Sequence, residues 1–186
     1  SLYLAPPLTL IFPKVFVGAL LMTPLNLFLA YVVWAITWKK VFSLYFLIYG
    51  LLAMPTTLWG NTPGIFKPLL GIAIGLLLDL IALNLQPQDK SAKLMMAVVF
   101  PVVWWTLTGG IWVLSGLPIV QMFQAMLIGV PALKPIASQG FVATFATIAL
   151  MTMPSSVVAT YGAVSLSKRV GQIITIPQVG IFKEEI

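Results

Sequence analysis

The sequence predicts an all-α integral membrane protein, a bundle of about six transmembrane helices joined by short loops. Three observations predict it. Of 186 residues, 60% are hydrophobic and only 8% charged, against about a quarter charged in an ordinary soluble domain. Mean hydropathy is +1.06, so there is too little polar surface to keep a globule of this size in water. Apolar runs of about the 20 residues that a bilayer-crossing helix needs recur along the chain, punctuated by basic residues, Gly and Pro. The whole chain, 1–186, reads as one transmembrane domain.

The segment from Ser1 to Phe12 holds Pro6 and Pro7 and reads as irregular and interfacial. No basic stretch precedes its apolar residues, so a secretory signal is not expected. The first span is expected over 15–38, between Lys14 and Lys39–Lys40, with a kink at Pro24 and Asn26. The second, 41–59, follows with almost no loop and stops at Gly60-Asn61-Thr62-Pro63-Gly64. The third covers 66–85 and closes at Gln86-Pro87-Gln88-Asp89-Lys90; the fourth covers 92–115 and contains Pro101 and Gly109–Gly110. The fifth, 117–133, is short and edged by Pro118, Pro131 and Pro135, which leaves it either a full crossing or a re-entrant segment. The sixth, 141–167, is long enough to tilt, carries Pro154 and stops at Lys168–Arg169. The tail 170–186 reads as a surface segment. Trp34, Trp38 and Trp59 near span ends match the preference of indole for the headgroup layer.

Composition also excludes chemistry. The chain has no Cys and no His, which removes thiolate reactions, zinc–sulfur sites, His-dependent triads and haem ligation by His. Its acids are Asp79, Asp89, Glu184 and Glu185, too scattered for a carboxylate metal site. Neither an enzyme nor a metal or cofactor site is expected. The net charge of +6 reads as basic residues meeting lipid headgroups, not as a nucleic-acid surface. With six crossings the basic residues divide five against five: Lys14, Lys67, Lys168, Arg169 and Lys183 on one side, Lys39, Lys40, Lys90, Lys93 and Lys134 on the other. Orientation is left open by that division.

Four groups of residues draw attention. Gly71, Gly75 and Asp79 are spaced by four, with Ala82 three further on, so they share one helical face. Glycines at that spacing let another helix approach closely, and an acid within a span is a functional candidate by default. Asp79 is therefore open to two readings, substrate or proton binding on one hand and a hydrogen bond pinning helices on the other. Trp104 and Trp105 lie in the middle of an apolar run, where a headgroup belt does not explain them. They would make a stacking wall for a flat ligand or pack as core. Thr152, Ser156, Ala159, Ala163 and Ser167 form a small-residue stripe suited to helix packing or to docking. Gln121 and Gln124 are polar groups in the fifth segment. The candidate pocket is thus Asp79, Trp104, Trp105, Gln121 and Gln124, and the packing or docking candidates are Gly71, Gly75, Ala159 and Ala163.

The run from Ile65 through Phe66-Lys67-Pro68-Leu69-Leu70-Gly71 to Gly75 and Asp79, with Ser155 to Ala163 ahead of Lys168–Arg169, resembles the substrate-binding S components of energy-coupling-factor transporters. Lys67 stands where that family has Gly before the Pro, and Ala30 and Ala35 stand five apart where its docking motif has a spacing of four. The resemblance implies a multi-pass subunit in the cell membrane that captures a vitamin-like micronutrient and docks on a coupling subunit driven by two ATPases. The alternative is a non-catalytic accessory subunit of a larger membrane enzyme complex. The two differ over whether the chain has an internal pocket.

Overall fold

The computed structural model describes residues 14–37, 41–56 and 62–173. They are helical, with no strand among them. Helix α1 (Lys14–Val17) runs through a π-helical turn (Gly18–Met22) into α2 (Thr23–Thr37). Then come α3 (Phe42–Ala53), α4 (Phe66–Ile81) with a 3₁₀ turn at Ala82–Asn84, α5 (Lys90–Leu114), α6 (Ile119–Ile128), α7 (Lys134–Ala137) and α8 (Phe141–Ile173). The expected tail beyond Ile173 and the ends Trp38 and Trp59 lie outside the described residues.

Four helical stretches are long and apolar enough to cross a membrane, by length and composition: Gly18–Thr37, Phe66–Asn84, Lys90–Leu114 and Phe141–Val170. The second and fifth expected spans hold shorter helices, α3 with 12 residues and α6 with 10. At 1.5 Å per residue these reach about 18 and 15 Å. Proline sets the limits: α3 ends just before Met54-Pro55, and α6 lies between Pro118 and Gly129-Val130-Pro131. The expected disturbance at Pro24 takes the form of the π turn just before it, where the Thr23 backbone N–H and Oγ1 both donate to Gly18 O. One residue is thereby inserted ahead of the proline, and the ladder lost at Pro24 is replaced locally.

Side-chain contacts fix the helix directions. Trp34 meets Phe42 while Asn26 meets Tyr45 and Tyr49, so α2 and α3 are antiparallel. The Gly71 and Gly75 positions lie against Phe46 and Ser43, so α3 and α4 are antiparallel too. Phe46 stacks on Phe100 and Tyr49 meets Trp104, which sets α5 parallel to α3. Lys93 sits over the Tyr161 ring, Trp105 bonds Thr152 and Trp112 meets Phe145, so α5 and α8 are antiparallel. Consequently residues 115–140, with α6 and α7, leave and return at the same end of the bundle.

Helix α8 is the hub, packing on α2, the π turn, α5, α6 and α7. The stripe Thr152, Ser156, Ala159, Ala163 and Ser167 is buried inside the bundle, and Gly162 lies against the Phe28 ring. The outer surface is apolar: Leu44, Leu52, Leu69, Leu80, Leu150 and Val158 are all exposed.

Candidate functional site

Helix α3 is held at both ends by α4. Asp79 accepts hydrogen bonds from the backbone N–H groups of Phe42 (3.0 Å) and Ser43 (2.9 Å), the first turn of α3. Those donors have no partner within their own helix. At the other end the buried Lys67 donates from Nζ to Ala53 O (2.9 Å) and to Thr56 O. An anion at the N-terminus and a cation at the C-terminus both complement the helix dipole. Lys67 and Asp79 are twelve residues apart, about 18 Å along α4, which matches the length of α3. Glycine makes the fit close enough. A Cβ on Gly71 or Gly75 would run into the backbone of Phe46 or Ser43, and one on Gly50 would stand 2.6 Å from Lys67 O. Both Asp79 oxygens are therefore engaged at a helix end.

The tryptophan pair divides. Neighbours on a helix point about 100° apart, so Trp104 and Trp105 serve different faces. Trp104 packs with Phe100 (5.5 Å between ring centroids), Phe46 (5.9 Å) and Tyr49 (6.3 Å). Trp105 turns to α8, donating from Nε1 to Thr152 Oγ1 (3.2 Å) and meeting Trp112 and Phe123. Gly18 leaves room for its ring, since a Cβ there would be 3.3 Å from the indole. Trp112 Nε1 donates to Thr62 Oγ1 at 2.8 Å. Gln124 donates to Ala137 O (2.8 Å), tying α6 to α7, and Gln121 is exposed. Asp79, Trp104, Trp105, Gln121 and Gln124 thus lie at separate places and do not line one pocket.

A polar cluster that the sequence reading did not single out lies beside Trp104. Asn26, fully buried, donates to Met22 O (2.9 Å) and to Tyr49 Oη (3.4 Å), and its Oδ1 accepts from Tyr45 Oη at 3.5 Å. Asn26 stands near the middle of the Gly18–Thr37 stretch and Trp104 near the middle of Lys90–Leu114. Two tyrosine hydroxyls, an amide and an indole therefore meet at mid-height of the bundle. The tyrosine contacts, at 3.4 and 3.5 Å, are longer and weaker than a direct hydrogen bond of ordinary length. The signal available in the sequence was the i, i+4 pair Tyr45/Tyr49 opposite a mid-span Asn.

Elsewhere a concavity of about 580 Å³ opens outward between α5 and α8 and is lined by Val102, Thr106, Gly110, Val142, Phe145 and Leu150 among others. Gly109 lets the Phe145 ring in, a Cβ there standing 2.6 Å from it, whereas a Cβ on Gly110 would meet nothing within 4 Å. The glycine pair therefore leaves an apolar trough.

No family model, curated protein or solved structure matches this chain. Among the described residues no three of His, Cys, Asp and Glu come together. What the arrangement offers is hydrogen bonding and ring stacking in an apolar surround, which suits recognition of a neutral, partly aromatic molecule.

Proposed function

We propose that this chain is a multi-pass membrane protein that acts as the substrate-binding subunit of a micronutrient uptake transporter and works with partner subunits. The cluster of Asn26, Tyr45 and Tyr49 against Trp104 carries the reading. An amide and two hydroxyls amid apolar helices are costly unless their hydrogen bonds are used, and packing alone would be served by Leu or Phe. Ligand capture there would replace the long Asn26–Tyr contacts by bonds to the ligand, with Trp104 stacking on it.

Membrane placement is supported by the exposed Leu, Ile and Val side chains over the outer surface and by the treatment of α3. A helix of about 18 Å does not fill a hydrocarbon layer of about 30 Å, so its ends would put bare backbone groups into lipid, where each costs several kcal/mol. Asp79 and Lys67 cover those groups. The same use of Asp79 favours the second reading, an accessory subunit of a larger membrane complex, because it engages both oxygens of the one acid within the apolar run.

The deciding experiment is purification from the native membrane in mild detergent, with mass spectrometry of bound small molecules and proteins. Wild-type chain should carry a stoichiometric small molecule, alongside ATPase subunits. Asn26→Leu and Tyr49→Phe should release the molecule while the chain stays folded. A preparation free of small molecules and associated with cofactor-bearing catalytic subunits would overturn the transporter reading in favour of the accessory one.

A further inference from the structure

The helix directions change how the basic residues are shared between the two ends of the bundle. If the fifth segment crossed, they would balance. In the structure α5 and α8 are antiparallel neighbours, with Lys93 paired to Tyr161, Trp105 to Thr152 and Trp112 to Phe145. The end of α5 and the start of α8 therefore lie together, as the shared lining of the trough by Leu114 and Phe141 also shows. Residues 115–140 return to the end they left, and Lys134 stays at the end where α1 begins.

The count is then uneven. The end at which α2 finishes collects Lys90 and Lys93 from the start of α5 and Lys168 and Arg169 from the last turns of α8. The α2–α3 connection at that end carries Lys39 and Lys40 in its sequence. The opposite end has Lys14, Lys134 and Lys67, and Lys67 is buried on the carbonyls of α3. Leaving aside the tail beyond Ile173, the division by position along the chain is six against three. Lys90, Lys168 and Arg169 are exposed, and of the two acids at this end among the described residues Asp89 is exposed and Asp79 is engaged on the α3 backbone. Short loops rich in Lys and Arg stay on the cytoplasmic side of a membrane, and clusters of them bind anionic lipid headgroups there.

We infer that the chain crosses the membrane five times, with residues 115–140 re-entrant, and that the face formed by the α4–α5 connection and the end of α8 lies on the cytoplasmic leaflet, bound to its anionic phospholipid headgroups. The start of α1 and the α6–α7 segment then face outward. This rests on the membrane placement proposed above and not on the ligand cluster, so loss of that cluster's role leaves it standing.

The chain has no Cys, so single cysteines report on position without a background. Gln86→Cys marks the basic end, and Ser115→Cys and Ser138→Cys mark the two sides of α6–α7; all three positions are exposed. Each is expressed in cells and treated with a membrane-impermeant maleimide before and after permeabilisation. Ser115→Cys and Ser138→Cys should both label in intact cells, and Gln86→Cys only after permeabilisation. Ser115→Cys and Ser138→Cys labelling from opposite sides would restore six crossings and overturn the topology. Gln86→Cys labelling in intact cells would overturn the orientation. Labelling of all three from one side would overturn the membrane placement with it. The headgroup contact is read from vesicle reconstitution: replacing phosphatidylglycerol by phosphatidylcholine should lower the melting temperature of wild type by more than that of Lys168→Gln/Arg169→Gln, and equal lowering in both would refute the contact.

Discussion

Replacing Asp79 with Leu removes the acceptor of two backbone N–H groups while favouring the helix. Phe42 is fully buried and Ser43 half-buried, so one orphaned donor is enclosed by protein and the other is partly open at the surface. An unsatisfied buried donor costs about 1–3 kcal/mol, and hydrogen bonds to a charged group contribute about 1.5–3 kcal/mol each. Loss of a helix cap costs about 0.5–2 kcal/mol in water-soluble hosts. With one bond at full weight and the second at reduced weight, about 2–4 kcal/mol is expected. At a factor of ten per 1.4 kcal/mol that is roughly thirtyfold to several-hundredfold in an opening equilibrium. Hydrogen exchange of the micelle-embedded protein reads it directly, since the amides of Phe42 and Ser43 should lose protection by that factor while those of α8 keep theirs. Lys67→Met supplies the matching test at the other end of α3. The two sites are about 18 Å apart, so their effects on thermal stability should add to within about 0.5 kcal/mol. Unchanged protection of Phe42 and Ser43 in Asp79→Leu would refute the claim that this carboxylate holds the helix end.

Other substitutions separate positions that look alike in the sequence. Gly71→Ala should destabilise by about 1–3 kcal/mol through overpacking on the Phe46 carbonyl, whereas Gly110→Ala, facing open space, should stabilise α5 by up to about 1 kcal/mol; detergent melting curves of the pair test the contrast. Tyr31→Phe deletes the buried bond from Tyr31 Oη to Pro87 O (2.9 Å) and should cost about 1 kcal/mol or more, because the carbonyl is left bare. Trp105→Phe removes the 3.2 Å bond to Thr152 and should loosen α5 from α8, measured as faster exchange at the centre of both helices with α3 and α4 unaffected. Tyr45→Phe should weaken ligand retention less than Asn26→Leu, since the amide both donates and accepts within the cluster.

By itself the sequence determined the helical architecture and the placing of the four long apolar helices. Those follow from composition and from local signals, namely runs of about 20 apolar residues ended by Pro, Gly and basic residues, and such signals need no knowledge of neighbours. The Gly71–Gly75–Asp79 face was legible as a contact face because the spacing of four is a property of a single helix. What it touches was not. Tertiary structure decided that Asp79 meets the start of α3, that Lys67 meets its end, and that Trp104 and Trp105 point to different partners. It also brought Asn26 to Tyr45 and Tyr49, residues 19 and 23 positions away, and turned residues 115–140 back to the end they came from. Each of those is a pairing between helices, set by the register and direction in which they pack, and hydrophobic periodicity is nearly the same for every register. The short polar contacts that select one register act only once the helices are side by side, so they belong to the folded molecule.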